Sequence, residues 1–127
     1  MNWLISLLQH PFFLVGCGGA LGSIVRFAIS RWSQSLLSAS FPVATLSINV
    51  LGGFLLGCLA SSIAQRDQSA YLFLGVGMCG GFTTFSAFSL ETLEQLQRGE
   101  TARAFFYIIA SVILGIAATW IGILTCK

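Results

Sequence analysis

Charge is what this chain has least of. Of its 127 residues, six are Lys or Arg and four are Asp or Glu, 8% of the whole, with a net charge of +2. A soluble domain has about a quarter of its residues charged. The shortfall excludes a soluble enzyme and a disordered tail, and the small net charge excludes the basic stripe that nucleic-acid binding requires, so neither catalysis nor a nucleic-acid partner is expected. Histidine occurs once, as His10, with no carboxylate or serine close by to make it a general base. The four cysteines, Cys17, Cys58, Cys79 and Cys126, have no C-x-x-C spacing and sit in or beside apolar stretches. They read as membrane-core thiols and not as a metal site. What the chain does have is hydrophobic surface: 56% hydrophobic residues and a mean hydropathy of +0.89. Its solvent is a lipid bilayer.

The charges divide the chain into uncharged stretches at 1–25, 32–65, 68–90 and 104–126. A spanning helix needs about 20 apolar residues, so each stretch holds one helix and even the longest cannot hold two. The expectation is an all-α, multi-pass membrane protein with a single four-helix domain over 1–127 and spans at roughly 4–27, 41–64, 70–90 and 104–125. No basic residue precedes the first stretch and no clear cleavage pattern comes after it, so it is read as mature structure. With four spans, Arg66 and Lys127 share one side, and Arg26, Arg31, Arg98 and Arg103 the other. That bias is weak. A single orientation and insertion in both orientations stand level on charge alone, and a chain inserting both ways could build an antiparallel dimer.

Glycines recur at spacing four as Gly18 and Gly22, Gly53 and Gly57, and Gly77 and Gly81. The first two pairs read as close helix packing. The third lies in a run from Gly75 to Ser89 with four glycines in seven residues, followed at once by hydroxyls and phenylalanines. Glycine loosens a helix, and Thr or Ser hydroxyls can satisfy the backbone groups that a break releases. A third helix broken at mid-membrane is expected, a device with which transporters bind ions. Thr45 and Asn49 share a face of the second helix, and Tyr107 and Ser111 share one of the fourth. Phe85, Phe88 and Ser89 form a stripe on the third, with Ser86 beside it. Any one pair could be interhelical hydrogen bonding alone. Polar pairs on three helices together with a glycine break favour a polar pathway.

No Asp, Glu, Lys or His lies at the centre of any stretch, whereas a proton-coupled exporter needs an intramembrane carboxylate or histidine. Amide and hydroxyl donors remain, with phenyl ring edges that carry the positive side of the aromatic quadrupole. Such a lining suits a small anion moving passively. The competing class, a small dual-topology, proton-coupled multidrug exporter, would have only Glu91, at a helix end, as its carboxylate. A non-transporting packing subunit would leave the broken helix unexplained.

Across its whole length the chain resembles the small prokaryotic fluoride channels called Fluc or CrcB. The residues that carry the likeness are Gly18, Gly19 and Gly22 followed by Arg26, the segment from Ala44 to Asn49, and Gly80-Gly81-Phe82-Thr83-Thr84-Phe85-Ser86-Ala87-Phe88. The resemblance implies a dual-topology, antiparallel homodimer in the prokaryotic plasma (inner) membrane. Its two pores export toxic fluoride. Phe85 and Phe88 match the family's phenylalanine box, and Asn49 its pore-facing asparagine. Backbone carbonyls of Gly80 and Thr83, from both subunits, would hold a structural, non-transported sodium ion; no organic cofactor is implied. Thr45, Thr84, Ser86, Tyr107 and Ser111 fall among the polar pore-lining positions, with helix packing as the competing role for the last four. Arg26 matches a vestibule arginine, and its competing role is a snorkelling anchor. Glu91 matches a glutamate near a pore mouth, and its competing role is a solvated residue opening the polar loop that ends at Arg103. Three positions depart from the family's pattern: Ala44, Ala87 and Phe27 stand where Gly, Thr and Tyr are usual.

Overall fold

The computed structural model describes residues 3, 8–36 and 42–127, and no strand occurs among them. Helix α1 (Pro11–Leu36) opens on a proline, which has no amide to leave unpaired, and the His10 carbonyl accepts from the Phe13 and Leu14 amides at 3.0 and 3.1 Å. Helix α2 spans Val43–Ser62. The third crossing is composite. Asp67 caps it through Oδ1, which accepts from the Ala70 amide at 2.9 Å, and a short α3 (Gln68–Tyr71) widens into a π-helical stretch, Leu72–Cys79, that tightens again as α4 (Gly80–Phe82). Thr83 and Thr84 are extended, and helix resumes as α5 (Phe85–Gln97). Gly99, with φ +76°, turns the chain into α6 (Thr101–Thr125). Four stretches, Pro11–Ser35, Val43–Ser62, Gln68–Gln97 and Thr101–Thr125, are long and apolar enough to cross a membrane.

Helix ends and charges do not coincide. α1 continues through Arg26 and Arg31, and α5 continues past Glu91 and Glu94 to Gln97, because hydrogen bonding along a helix persists into polar surroundings. Part of the expected first span, 4–7, lies outside the described residues. The glycine-rich run relaxes into a π-helix, and the interruption of helical backbone comes after it, at the two threonines.

The helices pack as two intimate pairs, α1 with the π-helical stretch and α4, and α2 with α6; α5 folds back against α6. Glycine makes both pairs possible. A Cβ at Gly18 would run into the Phe73 carbonyl, and one at Gly22 into the Met78 carbonyl. From the other side, one at Gly77 would stand 2.8 Å from the Val15 carbonyl. Gly81 meets the Gly19 carbonyl in the same way, so the third glycine pair packs as closely as the first, in addition to loosening its own helix. In the second pair Gly57 faces the Thr119 carbonyl and Gly122 the Phe54 carbonyl. In lipid, where apolar burial gives no drive, such backbone contact supplies the cohesion. The described interior is correspondingly small, with Ile48, Phe82, Ala104, Tyr107 and Ala118 buried, while α6 turns Phe105, Phe106, Ile109, Ile113, Ile116 and Trp120 outward.

One reading is corrected. Cys58 and Cys126 are not separate thiols: they form a disulfide between α2 and the end of α6, with Cα atoms 4.9 Å apart, and only Cys17 and Cys79 are free. Sequence spacing conceals the pair because its members are 68 residues apart and meet only through the α2–α6 contact.

This packing has two testable outcomes. Gly22→Leu drives a side chain into the Met78 carbonyl, costs about 1–3 kcal/mol, and is expected to shrink the folded peak in size-exclusion chromatography in detergent. Alkylation of the unreduced, denatured chain, read by mass spectrometry, is expected to label two thiols, rising to four after reduction.

Candidate functional site

The interruption at Thr83 and Thr84 organises the site. Thr83 has ψ 156° and Thr84 has φ −149° and ψ 119°, so the helical hydrogen-bond ladder cannot pass through them. The freed groups find partners across the bundle. Asn49 Oδ1 on α2 accepts from the Thr84 amide at 2.8 Å, and Asn49 Nδ2 donates to the Thr84 carbonyl at 3.1 Å. Both halves of one side-chain amide thus replace the missing backbone partners. Thr84 Oγ1 then caps α5, accepting from the Ala87 amide at 3.2 Å, and bonds Ser86 Oγ at 3.2 Å.

The carbonyls of Gly80 and Thr83 lose their helical amides as a result. The Thr84 amide, four residues beyond Gly80, points to Asn49, and the Ala87 amide, four beyond Thr83, points to the Thr84 hydroxyl. A Cβ on Gly80 would meet nothing within 4 Å, so space lies open beside it. Oxygen donors of this kind fit a hard cation. The Gly81 carbonyl, one residue from the first of these, accepts from Arg26 Nε at 3.2 Å and Ser23 Oγ at 3.4 Å, both on α1.

Beyond the break, Asn49, Thr83, Thr84, Phe85, Phe88, Ser111 and Val112 line one cavity of about 280 Å³. Its second amide proton leaves Asn49 a donor to spare, since each Nδ2 carries two. Phe85 is 79% exposed on the outer face of the subunit. Its ring centroid lies 5.6 Å from that of Phe88, and the Phe88 ring lies 5.2 Å from that of Tyr107, both pairs tilted. From Phe85 through Phe88 to Tyr107 the rings form a line that leads from the exposed face inward.

That line ends at Glu91. Its Oε1 accepts from Thr45 Oγ1 at 2.6 Å and its Oε2 from Tyr107 Oη at 2.7 Å, so both carboxylate oxygens are held, by α2 on one side and α6 on the other. Thr45 and Tyr107 are buried, 4% and 0% exposed. Glu91 stands mid-way along α5, half-buried, which corrects the reading of it as a solvated loop residue. The polar loop begins later, where Arg98 pairs with Glu94 and Glu100 on the surface.

Nearly every residue singled out from sequence is thus brought together. Asn49, Thr83, Thr84, Phe85, Phe88 and Ser111 line the cavity, Ser86 touches it through Thr84, and Thr45, Glu91 and Tyr107 form the adjoining knot. Two stand apart. Arg26 is tied to the α1 side of the break, and Ser89 is exposed, donating to the Phe85 carbonyl at 2.9 Å. Sequence reasoning missed Ser23, whose position one turn before Arg26 on α1 was its signal. It also missed Gln95, which lies one turn after Glu91 and is buried.

Comparison with known proteins bears on this geometry. Residues 13–123 match the model of the family described as CrcB-like protein, Camphor Resistance (CrcB). The chain belongs to the CrcB-like family. Among its relatives, the protein named fluoride-specific ion channel FluC in Caulobacter vibrioides (strain NA1000 / CB15N) is 44% identical over 123 residues, 94% of this chain and 97% of that one. Proteins of the same name in Thermus thermophilus and Agrobacterium fabrum are 45% and 42% identical, each over 87% of this chain and 89% and 90% of their own. This CrcB-like chain carries the glycine run, the break and the paired phenylalanines inside the matched region.

The Glu91 knot is testable by itself. Tyr107→Phe strands a carboxylate oxygen in the interior and is expected to lower stability by about 1–3 kcal/mol, read as a drop in the thermal midpoint in detergent. The same substitution in a Glu91→Gln background should cost less.

Proposed function

We propose that the chain is a passive, fluoride-selective channel that lets fluoride leave the cytoplasm across a prokaryotic inner membrane. The observation that carries the reading is a cavity lined by Asn49, with its spare amide donor, by Thr84 and Ser111 and by Phe85 and Phe88, in a chain 44% identical to a fluoride-specific ion channel over 94% of its length. Fluoride is small and strongly hydrated. A narrow path must replace its water with close donors, a demand that a larger anion meets less well.

The working unit on this reading is an antiparallel, dual-topology homodimer with two pores, each passing through the interrupted third helix near mid-membrane. Exposure of Phe85 and of the space beside Gly80 on the subunit's surface supports a second copy completing both. Carbonyls of Gly80 and Thr83 from the two copies would hold a sodium ion, which would supply fixed positive charge at the dimer centre. Arg26, anchored to the Gly81 carbonyl, contributes positive charge at the vestibule and so raises the local anion concentration. Glu91, hydrogen-bonded at both oxygens, serves as an anchor for Thr45 and Tyr107 along the path. The multidrug-exporter alternative gains no support from the relatives, which are named as fluoride channels.

Liposomes loaded with fluoride and containing the purified chain are expected to release it rapidly, followed with a fluoride electrode, with little chloride flux. Asn49→Ala and Phe85→Ile should each slow release by at least about tenfold, the factor for one lost interaction with a charged partner. Chloride release as fast as fluoride release overturns the reading. In a second run, removal of sodium should reduce efflux.

A further inference from the structure

Among the described residues, three buried side-chain atoms have no hydrogen-bond partner: Gln95 Nε2, Gln95 Oε1 and Ser111 Oγ. Gln95 is 1% exposed. Its backbone is fully engaged, since the Glu100 amide donates to the Gln95 carbonyl at 2.9 Å and the Gly99 amide to the Leu96 carbonyl at 3.0 Å, the paired bonds of a glycine-terminated helix end. The turn therefore fixes where Gln95 stands while leaving its side-chain amide unsatisfied. A buried amide without partners is costly, and a leucine at that position would fill the interior without the cost.

Its place in the fold says what the amide is for. Gln95 comes four residues after Glu91 on α5 and shares its face, and Ser111 comes four after Tyr107 on the antiparallel α6. Because Glu91 meets Tyr107 directly, Ser111 lies about 5.4 Å, one helical turn, to the cavity side of that contact. Gln95 lies one turn to the other side, toward the loop at Gly99. The unsatisfied hydroxyl and the unsatisfied amide bracket the carboxylate on a single line. An anion moving along it must pass a like charge, and neutral donors immediately before and after that charge offset the repulsion.

We propose that Gln95 is an anion-contacting residue at the loop end of the path, a role that rests on the channel reading. Its Nε2 donates to the passing fluoride and its Oε1 accepts from a water of that ion, so this is where fluoride exchanges protein donors for its hydration shell. The two empty valences of the amide are of the two kinds that a hydrated anion fills.

The test replaces the amide with apolar chains of similar bulk, Gln95→Met and Gln95→Leu, in the full-length protein reconstituted in liposomes. Initial fluoride efflux is measured per folded channel recovered. Expected is a loss of about tenfold in rate, as for one charge-assisted hydrogen bond, with an unchanged or raised thermal midpoint, because an unsatisfied group has been removed. Wild-type efflux in either folded variant overturns the proposal while the channel reading stands. Failure of both variants to give folded protein assigns Gln95 a purely structural role and also overturns it. Absence of fluoride efflux in the wild type overturns the channel reading itself.

Discussion

Two hydrogen bonds from one asparagine hold the centre of this molecule in shape. A membrane helix cannot simply stop, since each freed amide or carbonyl left in hydrocarbon costs several kcal/mol. Asn49 meets both needs of Thr84 at once because its side chain carries an acceptor and a donor at the spacing of a peptide group. Aspartate could only accept, and leucine could do neither. With Thr84 pinned to α2, its hydroxyl is free to start α5, which fixes the rotation of that helix and so aims Phe85 and Phe88 into a shared cavity. The carbonyls of Gly80 and Thr83 lose their helical partners in the same event.

Glu91 is the counterweight. Its placement between Thr45 and Tyr107 spreads its charge over two short hydrogen bonds and keeps both oxygens occupied. The same bonds join α2, α5 and α6 at a level where glycine contacts do not reach α5. A group that is costly in lipid is in this way made structural.

Much of this was legible in the order of residues. Ten charges mark four crossings without reference to any contact, because the bilayer penalises charge so heavily. Spacing by four puts Thr45 with Asn49 and Tyr107 with Ser111, and helical geometry alone makes those pairings reliable. What stayed hidden depends on which helices are neighbours. The Cys58–Cys126 bridge and the grip of Thr45 on Glu91 join residues on different helices, and no local pattern announces such pairings. Glu91 left two roles open, since a glutamate followed by more charges also reads as the start of a loop until Tyr107 is seen facing it. Gln95 was passed over because a lone glutamine late in a helix resembles surface, yet it is 1% exposed.

The π-helical stretch at Leu72–Cys79 has a geometric corollary. A wider turn takes in more residues than an α-turn, so it changes the phase between the helical segments on its two sides. Gly77 and Gly81 keep their azimuth toward α1 while Thr83 and Thr84, only a few residues on, face α2. Adding or deleting one residue within the stretch would put Phe73 out of phase with Gly81, so the contacts with α1 and the grip of Asn49 on Thr84 could not both be kept.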